Sequence, residues 1–179
     1  MILHVRHGMT YHPSCAERVR AFATVKAPTI IGYIYGTALT FDRQGDRGGC
    51  TVIDRDGTPD HEAFAPNAFD QSIAGGEQIL CLNHDRSRKL SGSFTRLANG
   101  AGRLVYRFTL MDGQFERSIL DQIRSRRIRH CSIAFVPGEQ EWRSSMTVHT
   151  RARLTEISLC GASHRPQWFG TQVFVAEVG

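Results

Sequence analysis

The stretch Lys89–Leu110, KLSGSFTRLANGAGRLVYRFTL, constrains the fold of this chain more than any other. Two runs of strand-type residues flank Asn99-Gly100, a pair suited to the positive φ angles of a tight hairpin turn. In the second run Leu104, Tyr106, Phe108 and Leu110 alternate with Arg103, Arg107 and Thr109, so one face is apolar and the other polar. A half-buried strand needs a layer to cover it, and most of the chain reads as further strands. Ile31–Phe41 is β-branched and aromatic, with glycines at 32 and 36 expected to mark bulges. CTVID is a short strand, and EQILCLNHD an apolar one that ends abruptly in polar residues. RIRHCSIAFVP, a long TVHTRARLTEISLC and TQVFVAEV complete a set of seven or eight. Helical signals are confined to two places. APNAFDQSIAGG has Pro66 for a first turn and Gly75-Gly76 as a stop, and QFERSILDQIRSRRI repeats Phe115, Ile119 and Ile123 at i, i+4, i+8 after a capping Asp112. The expected class is mainly β with a few helices (α+β): an antiparallel barrel or sandwich with helices packed outside. A doubly wound α/β fold would need many more helices.

Residues 1–25 show no sustained periodicity and are expected to form a loose arm before a single domain over 26–179. With 41% hydrophobic and 22% charged residues, the chain has an ordinary globular composition. No apolar run approaches the ~20 residues of a membrane helix. The first twenty residues carry His and Arg throughout and lack the apolar core of a secretory signal, so a cytoplasmic start is expected. Five cysteines, odd in number and without a CxxC pair, read as reduced and mostly buried thiols. Eight histidines are equally dispersed, without HExxH. No metal and no cofactor is therefore expected. The net charge of +5 is carried by arginine, since Lys26 and Lys89 are the only lysines. Arg117, Arg124, Arg126, Arg127 and Arg129 cluster on the second helix and its exit. Without a nucleic-acid motif or interleaved aromatics, they read as a solvated face or a dock for an acidic protein, not as specific nucleic-acid binding.

Three strand positions carry candidate chemistry. In ILCLNHD, His84 lies where an apolar strand meets a loop, on the face of Leu80 and Leu82. In HCSIAF, Cys131, Ile133 and Phe135 form the apolar face, which makes Cys131 a core thiol and turns Ser132 toward a cleft with His130 and Ala134. In RLTEISLC, alternation groups Leu154, Glu156 and Ser158 on one face. Glu156 is a lone carboxylate in an apolar strand, and burying it unpaired is costly enough that a partner is expected. A histidine would serve, and a Glu–His–Ser relay is one way to activate a serine.

Taken in order, GYIYGTALTFD, EAFAPNAFDQSI, LCLNHD, the GSFTRLANGAGRLVYRFTL hairpin, a helix, HCSIAF and LTEISLC resemble the prohead (procapsid maturation) proteases of tailed phages. That serine-protease family is related in fold to the herpesvirus assembly proteases, so the resemblance implies a herpesvirus-protease-like antiparallel β-barrel. It implies Ser132 as nucleophile, His84 as general base and Glu156 as the acidic third member. An oxyanion site would form at the backbone of Ile133, with Arg165 as a helper. The sequence departs from the family pattern at His130 and Ala134, beside that site. The implied substrates are the major capsid protein, scaffold segments and the protease itself, cleaved inside an assembling procapsid in a bacterial host cytoplasm. The portal and shell are implied partners, a homodimer or higher oligomer is in keeping with the herpesvirus relatives, and no membrane is involved. The Arg-rich helix would then dock acidic scaffold. Three other readings stand beside this one: a catalytically silent capsid-assembly or scaffold protein on the same fold, a cysteine hydrolase using Cys131 with His84 or His130, and a metal-dependent hydrolase.

Overall fold

The computed structural model describes residues 27–41, 50–53, 59–100, 102–143, 146–161, 164 and 170–178. The N-terminal arm expected over residues 1–25 lies outside them. Twelve strands and two helices occur among the described residues, in the order β1 (Ile30–Thr40), β2 (Cys50–Ile53), β3 (Pro59–Phe64), α1 (Asp70–Gly75), β4 (Ile79–Leu82), β5 (Asp85–Lys89), β6 (Gly92–Gly100), β7 (Arg103–Met111), α2 (Gln114–Arg124), β8 (His130–Pro137), β9 (Gln140–Arg143), β10 (Met146–His149), β11 (Ala152–Cys160) and β12 (Gln172–Glu177). They build three four-stranded sheets, ordered β12-β1-β7-β6, β2-β3-β10-β9 and β5-β4-β11-β8.

The expectation of an antiparallel barrel is corrected in two ways. Among the described residues the sheets do not close: β12 meets the residue before β8 through the bond from Val173 N–H to the Arg129 carbonyl (3.1 Å), without a continuing ladder. Nor are all pairs antiparallel, because β3 runs parallel to β10 and β4 parallel to β11. The second parallel pair matters most, since it brings the end of β4 level with the end of β11.

The hairpin that dominated the sequence is present, but its reversal falls later than Asn99-Gly100. Gly100 pairs with Arg103, and Gly102 takes the positive φ (76°). Asn99 stays in the strand, where its amide donates to the Asp70 carboxylate at the start of α1. On β7 the alternation holds: Leu104, Tyr106, Phe108 and Leu110 are buried. Gly36 marks no bulge. A Cβ there would lie 1.8 Å from the Gln172 carbonyl oxygen, so the glycine is what lets β12 approach β1.

Helix α2 buries Ile119, Leu120 and Ile123, each worth roughly 1.5–3 kcal/mol when fully removed from water. Asp112 does not cap it. Gly113 is the N-cap, and the Asp112 carboxylate takes two hydrogen bonds from Arg117 (2.7 and 2.8 Å). Arg124 pairs with Asp121 and Glu177, so part of the basic cluster is neutralised within the fold. α1 ends as expected, with Gly76 left-handed and its N–H on the Ile73 carbonyl, but it begins only at Asp70, beyond a turn that holds Pro66. One apolar core joins the elements, with Phe41, Phe64, Phe69, Leu80, Leu104, Ile119 and Leu154 almost wholly buried. Among the described residues no helix is long and apolar enough to cross a membrane.

Candidate active site

The sheet β5-β4-β11-β8 carries all three residues singled out as nucleophile, base and acid. On β11, Ser158 faces Ser132 of β8, while Glu156 faces Ala134. Because side chains alternate along a strand, Ser132, Ala134, Glu156 and Ser158 share one face, and Cys131, Ile133, Ile157 and Leu159 face the core.

A bulge explains how a carboxylate came to stand in an apolar strand. The β8–β11 register slips between Leu154 and Glu156, so that Leu154 opposes Phe135 and Glu156 opposes Ala134. Thr155 is the extra residue, its hydroxyl donating to the Ala134 carbonyl (3.0 Å). Leu154 and Glu156 therefore do not share a face, as simple alternation had them. The bulge sends Leu154 into the core and re-aims Glu156 to the other side, a recurring use of bulges beside functional sites.

Glu156 is 3% exposed, and its Oε1 lies 2.8 Å from Nδ1 of His84. The buried carboxylate thus has the partner its burial demands. Its Oε2 lies 3.9 Å from Nε of Arg86, a weaker contact with an exposed side chain. With Nδ1–H donating to Glu156, the lone pair of the imidazole is left on Nε2, the tautomer a general base requires. The His84 side chain is 40% exposed.

His84 reaches Glu156 from a two-residue turn. Leu82 pairs with Asp85, and the intervening Asn83 and His84 both have left-handed backbones (φ 56° and 59°). This is the pattern of tight hairpins, and Asn and His are among the non-glycine residues that tolerate it best. Asn83 N–H donates to the Leu159 carbonyl (2.9 Å), and Gly161 N–H donates to Asn83 Oδ1 (2.8 Å). His84 N–H donates to Ser158 Oγ (2.6 Å). Nothing in the sequence singled out Asn83, Arg86 or Ser158. The Asn-His pair between LCL and DRSRK was the available signal for the turn.

Ser132 is 1% exposed, so it does not line an open cleft as expected, and its Oγ has no hydrogen-bond partner among the described residues. A buried unpaired hydroxyl costs about 1–3 kcal/mol, and such groups call for an explanation. Cys131, next to it, is fully buried. Burial pushes its thiol up to about 12, and its Sγ–H donates to the Thr37 carbonyl (3.4 Å). A neutral, enclosed thiol is a poor nucleophile, which removes the support for a cysteine hydrolase. Ile133 is buried opposite Ile157, and Arg165 lies outside the described residues. His130 is exposed, with Nδ1 3.0 Å from the Thr171 carbonyl. No group of three or more His, Cys, Asp or Glu side chains suited to a metal occurs among the described residues.

The chain belongs to the caudovirus prohead serine protease family, which matches residues 23–173. Among solved structures it is similar to the capsid assembly protease gp21 of bacteriophage T4, at 9% identity and a TM-score of 0.46, over 73% of this chain and 98% of that one. No curated protein matches it.

Proposed function

We propose that this protein is a serine endopeptidase that cleaves capsid and scaffold proteins, and itself, during procapsid maturation of a tailed phage, prophage or gene-transfer particle. The observation that carries this reading is the 2.8 Å contact between His84 and the buried Glu156, on the strand beside the one that bears the unpaired Ser132 hydroxyl. In the proposed mechanism Ser132 Oγ attacks the scissile carbonyl while Nε2 of His84 takes its proton. Glu156 holds the tautomer and stabilises the imidazolium. The Ile133 amide and Arg165 hold the oxyanion, and the protonated His84 then gives its proton to the leaving amine. Water, deprotonated by the same imidazole, hydrolyses the acyl-enzyme and restores Ser132. The assembling shell in a bacterial cytoplasm is the proposed place of action, with portal and shell as partners and a homodimer or higher oligomer as the working form. The arginine-rich end of α2, with Arg124, Arg126 and Arg127, is the proposed contact for acidic scaffold.

Co-expression with the neighbouring capsid gene tests the reading, comparing intact masses for wild type and Ser132→Ala. Cleavage by the wild type alone is the expected result, and cleavage that survives in Ser132→Ala would overturn it. A second reading, a catalytically silent capsid-assembly protein on the same fold, has the burial of Ser132 in its favour. A fluorophosphonate that labels Ser132 in wild type rules it out.

A further inference from the structure

We infer that Ser158 is a positioning residue for the base: its hydroxyl fixes the His84 turn to the strand pair that carries Ser132. This rests on the reading of His84 as general base. The bonds that tie the turn to β11 descend the strand in order. Gly161 N–H meets Asn83 Oδ1, Asn83 N–H meets the Leu159 carbonyl, His84 N–H meets Ser158 Oγ, and His84 Nδ1 meets Glu156 Oε1. His84 is thus held at two points by residues two apart on one face of β11, its backbone by Ser158 and its ring by Glu156.

The two points act together. The hairpin and the Asn83 bonds to β11 hold two successive left-handed residues in place. The Ser158 bond adds a restraint at His84 itself, so the backbone and the ring of one residue are both tied to β11 and the swing of the imidazole about Glu156 is narrowed. Ser158 is also the cross-strand neighbour of Ser132 on one side and of Cys81 on the other. Cys81 Sγ lies 3.6 Å from Ser158 Oγ. The residue that holds the base is therefore in register with the nucleophile, so a shift of the turn along β11 becomes a change in the separation of imidazole and hydroxyl.

The test uses the full chain with Ser158→Ala, Ser158→Cys and Ser158→Thr. A fluorophosphonate reports the reactivity of Ser132, the low-field Nδ1 proton resonance of His84 reports its bond to Glu156, and thermal unfolding reports the fold. Ser158→Ala is expected to slow labelling by about 100-fold, the scale set by an ångström of misplacement, and to broaden or abolish the Nδ1 resonance. Ser158→Thr, which keeps the hydroxyl, is expected to restore both. Ser158→Cys keeps the volume with a weaker acceptor and serves where the alanine variant fails to fold; it is expected to fall between. A folded Ala or Cys variant with a wild-type resonance and labelling within threefold of wild type overturns the inference. Should wild type itself resist labelling, the protease reading fails, while the resonance still decides whether Ser158 holds the turn.

Discussion

Two histidine–glutamate pairs in this fold have opposite surroundings. His84 and Glu156 meet at 2.8 Å, with the histidine side chain 40% exposed and the carboxylate buried. His149 and Glu62 stand 3.6 Å apart, with the histidine wholly buried and the carboxylate partly exposed. The His149 ring is stacked on Phe64 (4.8 Å) and meets Phe135 edge-on (4.9 Å), while Gln140 Nε2 lies 3.3 Å from its Nδ1. In the first pair the carboxylate is the fixed member and the imidazole reaches outward from a turn. In the second the imidazole acts as a core aromatic, and Glu62 touches it from the edge. The residue types are the same, but access separates them: the His84 imidazole is open to groups that approach from solvent, whereas the His149 ring meets only its neighbours.

The largest contrast is expected in reactivity. Glu156→Gln should lower fluorophosphonate labelling of Ser132 by about 10³–10⁴-fold, the cost of losing the correct tautomer in a relay, whereas Glu62→Gln should stay within threefold. Equal losses in the two variants would erase the distinction. Stability should separate the two sites far less than reactivity does. His149→Ala, which empties a place between two phenylalanines, should cost about 3 kcal/mol in chemical denaturation, and His84→Ala should cost about 1–3 kcal/mol, because it leaves the buried Glu156 carboxylate without its partner and puts alanine at a left-handed position.

The neighbours Cys131 and Ser132 invite a test in alkali. Burial raises the thiols of Cys81 and Cys131 from 9.0 to about 12, and that of Cys160 to about 11. In the unfolded chain these thiols ionise first. The stability they hold is therefore fully present below about pH 9 and is lost as pH rises toward 12. Urea midpoints should fall from about pH 8 to about pH 10.5, and Cys131→Ala should flatten that fall. A slope unchanged by the substitution would show that Cys131 is not the enclosed thiol described. The smallest effect is expected at Arg86, whose exposed guanidinium lies 3.9 Å from Glu156. Arg86→Ala should change stability by under about 1 kcal/mol and labelling by only a few-fold.

How far each feature could be read from the chain depended on whether its signal was local. Helix α2 was legible because Phe115, Ile119 and Ile123 repeat within one element, and the alternation of β7 was legible for the same reason. The exposed strands β5 (DRSRK) and β9 (QEWR) escaped notice because neither buries a face, so neither alternates. The long strand expected over TVHTRARLTEISLC is divided at Thr150-Arg151 into β10 and β11, which join different sheets. Pairing partners made that division, and no periodicity announces them.

The candidate site divides along the same line. The sequence alone determined which residue types were present in which order, that Cys131 belonged to an apolar face, and that Glu156 needed a partner, because burial of a charge is costly wherever it occurs. Tertiary structure decided which partner it found. The parallel pairing of β4 with β11, the bulge at Thr155 and the left-handed turn at Asn83-His84 together bring the ring of His84 to Glu156 and its backbone to Ser158. Each of these is a relation between strands far apart in the chain, set by register and backbone hydrogen bonds, and no residue carries such a relation by itself.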